Sequence, residues 1–236
     1  MADLIESAQG ILSVSQRRME ATANNVANLT TPGFKSEQLY TDVSAASDSR
    51  APKTSLIERP DWGQGRLAKS DNPLDVAISG PGMFRFRGAD GAVTYSRSGQ
   101  FKLAGDGRVV TAQGLALQTA DGGDLVVPNA KVRVLADGTV LDGERPIAKI
   151  GLFSPMAGVE AEPLGGSLFS IPESMVDEVA APELRQGMLE GSNVTLADEM
   201  VSMMDALRQA EGGAHLVQTY DDLMGRAIST LGQGAR

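Results

Sequence analysis

Residues 3–35 read DLIESAQGILSVSQRRMEATANNVANLTTPGFK. Ile5, Ala8, Leu12, Ser15, Met19, Thr22, Val26 and Leu29 follow one another at alternating steps of three and four, which is the seam of an amphipathic helix. No Gly falls between Ile11 and Leu29 and no Pro precedes Pro32. The spacing therefore predicts one long helix, roughly 40 Å at about 1.5 Å per residue. It stops where Asn28-Leu29-Thr30-Thr31-Pro32-Gly33 supplies helix-ending residues. A lone helix with a single apolar seam, weakened here by Ser15 and Thr22, is marginal in water, so it requires a partner.

The far end supplies a candidate. Leu196, Met200, Met203, Leu207, Ala210, Ala214, Val217, Asp221, Met224, Ile228 and Leu231 keep the same alternation, broken once by the acid at 221. Ser192 or Asn193 is the expected N-cap, and Asp198 and Glu199 complement the positive end of the helix dipole. Two readings stay open: both helices face one ordinary core, or the termini pair with each other and then with neighbouring subunits. Small residues and Met in the seams suit the second, because small residues allow close approach and Met adapts to varied surfaces. Gly212-Gly213 falls mid-helix at a cost of about 2 kcal/mol relative to Ala. A locally weak helix is expected there.

Composition narrows the function classes. A chain of 236 residues with 42% hydrophobic content can bury one large core or two smaller ones. Its net charge of -9 argues against nucleic acid, whose affinity comes from Lys and Arg neutralising phosphates. The absence of Cys removes disulfides, thiolate metal ligands and a Cys nucleophile together. From the acidic start at Asp3 and Glu6, with no long apolar run after it, neither a cleaved signal peptide nor a membrane span is expected.

Between the helices the texture changes twice. Residues 36–66 read as a linker or extended arm, with Trp62 a candidate anchor at its far end. Residues 67–188 read as a central β domain. Short apolar or alternating runs at 73–78, 83–87, 93–97, 100–103, 109–111, 115–118, 125–127, 131–134, 139–141, 148–153 and 167–171 are separated by Gly, Pro and Asp-Gly turns. The predicted fold class is α+β: a mainly antiparallel sandwich or irregular barrel, with residues 1–35 and 189–236 forming a discontinuous, coiled-coil-like helical domain.

No catalytic, cofactor or metal site emerges. His215 has no second His or Cys with which to build a common zinc site. Neither Gly80-Pro81-Gly82 nor Gly105-Asp106-Gly107 leads into a helix with the Lys-Ser/Thr pair of a phosphate loop. Adjacent acids such as Asp221-Asp222 read as a solvated helix face, and the Asp-Gly turns lack the ligand series of a calcium loop.

Three motifs then carry a resemblance. Residues 23–35, containing Asn24, Asn25, Asn28, Thr31, Pro32, Gly33 and Phe34, resemble the N-terminal signature of the bacterial flagellar rod and hook proteins. Asn72, Pro73, Leu74, Asp75, Gly80 and Gly82, followed by Tyr95-Ser96-Arg97-Ser98-Gly99-Gln100-Phe101, are similar to the central motif of that family. Leu189-Glu190-Gly191-Ser192-Asn193-Val194 matches the segment that opens its C-terminal helix. Within the family the chain looks most like the proximal-rod member, with the distal-rod member the close alternative. Ala210 stands where an aromatic is usual.

The resemblance implies a non-catalytic structural subunit of the flagellar basal-body rod, spanning the periplasm and transmitting torque to the hook. It implies helix seams completed only against neighbouring rod subunits, in non-closing contacts that generate a tube. It also implies unfolded passage through the flagellar type III export apparatus without a cleaved signal. Asn24, Asn25 and Asn28 would supply polar contacts at the helix end, or simply terminate it. Two rivals stay in view: a soluble β-domain enzyme, and an adaptor with dimerising helices that would form a small closed oligomer.

Overall fold

The computed structural model describes residues 2–42 and 55–233, with side chains for 6–40, 57–226 and 229. Sequence expectations that fall on residues 1, 43–54 and 234–236, including the middle of the 36–66 arm, lie outside the described residues, as do the side chains of Ile5 and Ile228. The described chain divides into two units. A helical unit draws on Met1–Val26, Glu37–Glu58 and Thr195–Arg236, and a β unit on Ala27–Ser36 and Arg59–Val194.

In the helical unit, α1 spans Ala2–Ala27 and α2 spans Leu196–Gln233. The two run antiparallel: Asn25 meets Glu199, Arg18 meets Gln209, and Leu12 lies against Gly213. α2 starts later than expected, with the Thr195 carbonyl accepting from the Glu199 amide. Neither Ser192 nor Asn193 caps it, because the first binds the Val194 amide and the second is engaged in the β unit. α2 also continues unbroken through Gly212-Gly213. Glu37–Asp42 and Ser55–Pro60, inside the stretch read as an arm, pair as a two-stranded sheet.

The β unit is built from antiparallel pairs. Its largest sheet runs through Glu162–Gly165, Leu168–Ser170, Val93–Ser96, Met83–Arg87, Ala116–Leu117, Val109–Val110 and Lys102–Leu103. Leu152–Pro155 joins it at Met83–Arg87 and carries Val176–Glu178 beyond. This path has free ends among the described residues, so of the two sequence alternatives the barrel is not formed. Arg133–Val134, Thr139–Asp142 and Arg145–Lys149 make a second sheet, with Gly138 at φ 88° in the Asp-Gly turn that starts its central strand.

Alternation along Met83–Arg87 sends Phe84 and Phe86 into one core cluster with Phe101, Val109, Leu117 and Ile150. Met83 goes to the other face, with Tyr95, Phe153, Phe169 and Ile171. Phe84 and Phe101 meet edge to face at 5.4 Å, and Trp62 packs on Phe169 at 4.9 Å, so the end of the arm is anchored as expected. The run expected at 148–153 divides into two strands at Ile150-Gly151, and 125–127 contributes only a bridge from Val126 to Arg108. Leu184–Gln186 pairs with Val76–Ile78, and Met188–Glu190 with Leu67–Lys69. Both pairings bring the start and the end of the β unit together.

Candidate functional site

Two places collect the residues singled out in the sequence. The first is the helix pair. On α1 the expected seam is the covered face: Ala8, Ser15 and Thr22 are buried and Leu12, Met19 and Val26 half-buried, while Leu29 is half-buried just past the helix. On α2 the covered face is Glu199, Met203, Ala206, Ala210, Gly213, Val217, Tyr220 and Met224, again at steps of four and three. The expected seam shares Met203, Ala210, Val217 and Met224 with it and slips by one residue in between. Leu196, Met200 and Leu207 are therefore 44%, 57% and 47% exposed, and Ala214 and Asp221 are exposed too.

The reason is steric. A Cβ on Gly213 would sit 3.2 Å from Leu12 Cγ and 3.3 Å from Ile11 Cγ2, so the missing side chain is what lets α1 approach. Ala206, fully buried, does the same two turns earlier. Ala206 and Gly213 thus sit at the close approach, and Leu196, Met200, Met204 and Leu207 are left as an exposed apolar stripe beside the covered face.

Asn25 closes one end of the pair. Its side chain accepts from the Glu37 amide at 2.8 Å and donates to the Glu37 carbonyl at 3.1 Å, so it pairs with that backbone as a strand would, and it also donates to Glu199 at 2.9 Å. Asn28 and Thr31 bond to each other through both backbone and side chain, which terminates the helix. Asn24 is exposed on α1.

The second place lies in the β unit, where the three motifs converge. Gly33 has φ 69°, and a Cβ there would fall 2.3 Å from the Ser98 nitrogen, so only glycine fits. Its amide donates to the Glu190 carbonyl at 2.8 Å. Phe34 and Lys35 beside it are buried. The Glu190 carboxylate, with no exposed surface, accepts from Lys35 Nζ at 2.7 Å, Arg97 Nε at 2.8 Å and the Gly65 amide at 2.9 Å. Lys35 also donates to the Gly63 carbonyl at 2.7 Å. Burial holds the Lys35 ammonium below the ordinary lysine range, and its hydrogen bond to Glu190 opposes that shift without cancelling it. Arg97 Nη1 donates to the Gly80 and Gly82 carbonyls, which is how the central motif joins the cluster.

Asn193 bridges the same region, accepting from the Ser36 amide at 2.7 Å and donating to the Asp61 carbonyl at 2.9 Å. Gly191 donates its amide to the Arg66 carbonyl. Asn72 and Asp75 set the turn into Val76–Ile78: Asn72 donates to Asp75 at 2.7 Å and to the Phe101 carbonyl at 3.1 Å, Pro73 accepts from Gln186, and Leu74 enters the core.

Sequence reading missed Lys35 and Arg97 as partners of Glu190, although both stood inside the quoted motifs. It also missed Ala206, Gly213 and Tyr220 on α2. The signal for the latter was Asp221: a covered register through 220 avoids burying that acid. Among the described residues no three His, Asp or Glu side chains converge on a metal position, and no helix is long and apolar enough to cross a membrane.

Comparison with known proteins agrees along the chain. The model for "Flagella basal body rod protein" matches residues 5–35, that for "Flagellar hook protein FlgE/F/G D1 domain" 77–141, and that for "Flagellar basal body rod FlgEFG protein C-terminal" 185–230. The flagellar basal-body rod protein FlgG of Agrobacterium fabrum is 31% identical over 249 residues, covering 90% of this chain and 93% of the relative. FlgF of Salmonella typhimurium is 30% identical over 251 residues, covering 98% and 99%, and FlgF of Caulobacter vibrioides is 28% identical, covering 92% and 93%. With matches to both named members along nearly its whole length, this chain belongs to the flagellar basal-body rod protein family.

Proposed function

We propose that this protein is a non-catalytic structural subunit of the proximal rod, and that it assembles through its terminal helices with copies of itself and with other rod proteins. The resulting tube carries torque to the hook. The observation that carries this reading is the division of labour on α2. Ala206 and Gly213 are buried on the covered face, while Leu196, Met200, Met204 and Leu207 remain exposed on the neighbouring stripe. A contiguous apolar stripe of this kind is a protein-contact surface. Of the expected seam, Ala8, Leu12, Met19, Val26, Met203, Val217 and Met224 lie on the covered faces of the helix pair that presents it.

The distal rod is the second reading, since both FlgF and FlgG are among the relatives. The FlgF of Salmonella typhimurium and of Escherichia coli, each aligned over 98% of this chain, support the proximal member, and FlgG of Borreliella burgdorferi, aligned over 96%, keeps the distal member beside it. Location in the basal body, with passage through the flagellar export apparatus before assembly, belongs to the same reading.

Sedimentation velocity across a concentration series tests it. Wild type should grow into open-ended species without a fixed stoichiometry, whereas Met200→Asp and Leu207→Asp should stay monomeric with unchanged helical content. A closed dimer or trimer that stops growing would instead support the adaptor.

A further inference from the structure

The chain has no Cys, so the sulfur atoms open to oxidation are the thioethers of its ten Met residues. These differ widely in exposure. Met83 is 1% exposed inside the β core, and Met19, Met188, Met203 and Met224 are half-buried. Met156 and Met175 are exposed at 39% and 45%, and among the described residues Met200 and Met204 are the most open methionines, at 57% and 51%. Those two lie one helical turn apart on α2, between Leu196 and Leu207, so two thioethers stand in the middle of the apolar stripe.

Oxidation changes what such a stripe can do. Hydrogen peroxide transfers one oxygen atom to a thioether: the O–O bond breaks, an S–O bond forms, the sulfur gives up two electrons and water leaves. The reagent is uncharged, so the net charge of -9 does not hold it away. The product is a sulfoxide, a polar acceptor where a flexible apolar side chain stood. Burying it in an apolar contact that offers no donor should weaken that contact roughly tenfold or more.

We propose that Met200 and Met204 form a paired oxidation site, that hydroperoxides convert them to sulfoxides in the free subunit ahead of the other described methionines, and that the modified subunit no longer associates. The order of conversion follows from exposure alone. The effect on association rests on the assembly reading above. Once the stripe is covered by a neighbouring subunit, the site is closed to the oxidant.

Dilute wild-type protein is treated with hydrogen peroxide to partial conversion, freed of oxidant, concentrated, and separated by sedimentation into monomeric and associated fractions. Mass spectrometry then maps sulfoxide in each fraction, with fragment spectra separating Met200 and Met204 from Met203. Sulfoxide at 200 and 204 should form faster than at 156 and 175, with 83 the slowest, and should be enriched in the monomeric fraction. The concentration needed for half-association should rise roughly tenfold or more. Protein treated after association should be converted more slowly at 200 and 204. Conversion there no faster than at Met83 would overturn the site, and sulfoxide at 200 and 204 divided evenly between the fractions would overturn its effect. The double variant Met200→Leu, Met204→Leu keeps the stripe apolar without sulfur, and whatever association it shows before peroxide it should keep afterwards; a loss equal to that of wild type would place the effect at other methionines and overturn the proposal. No association of untreated wild type at any concentration would overturn the assembly reading and with it the effect on association, and the order of conversion among the methionines would still decide the site.

Discussion

Glu190 meets two cations with one carboxylate, and that stoichiometry sets the order in which substitutions around it act. Glu190→Gln removes the one carboxylate that bonds both Lys35 and Arg97 and should cost about 3–5 kcal/mol. Lys35→Met leaves a one-to-one pair of Arg97 and Glu190, with Gly65 still donating, and should cost less, on the order of 1 kcal/mol. Urea unfolding followed by Trp62 fluorescence checks the ranking, and the reverse order would rule out Glu190 as the hub of the cluster. The lysine also gives a pH signature. Its folded value lies below the unfolded value of 10.5, chiefly because of burial. Between the two values the unfolded chain holds more protons, so stability rises with pH through that window and the burial cost is fully felt below it. Urea midpoints measured from neutral pH towards 10.5 should rise in wild type relative to Lys35→Met. None of this was legible in sequence, where Lys35 and Arg97 stood inside the motifs without a partner assigned; only pairing between residues 155 and 93 positions apart buries them. Gly33 was legible, because a Pro-Gly step after a helix already announces a reversal.

At the scale of elements, the two helices and most internal strands could be read because their signals are local: an uninterrupted seam, and apolar runs cut by Asp-Gly turns. The strands that escaped notice have no such signal. Glu162–Gly165 is exposed throughout and contains Pro and Gly, and Met188–Glu190 is a strand only because Leu67–Lys69 lies beside it. The facing register of α2 escaped by a single residue, since Leu207 and Ala214 look like better seam positions than Ala206 and Gly213 until the closeness of α1 is known. The Gly pair makes this testable. At Gly212 a Cβ would meet nothing within 4 Å, so Gly212→Ala should stabilise α2 by up to about 1 kcal/mol. Gly213→Leu should force α1 away, and amide exchange should quicken along both helices. Equal protection in wild type and Gly213→Leu would mean that the close approach contributes nothing.

For the whole molecule, the division into units predicts where a protease stops. Lys35, Glu190 and Asn193 are held inside the β unit, which extends over Ala27–Ser36 and Arg59–Val194. Limited proteolysis read by mass spectrometry should therefore leave termini near 27 and 194, rather than at the edges of the central strands. If both helices resisted cleavage in the monomer, the helical unit would be complete without neighbours, and assembly through it would lose its main support. The same pinning has a kinetic side. The hydrogen bond from Gly33 to Glu190 and the ion pair from Lys35 to Glu190 close a loop of 155 residues or more, so the β unit cannot finish folding until the chain has been delivered through residue 190. Closing so long a loop costs entropy before any contact repays it, and such topologies fold slowly. Within the β unit the contacts of Glu190 are then the late ones, so that unit spends its early life as an open polymer whose distant segments have yet to meet.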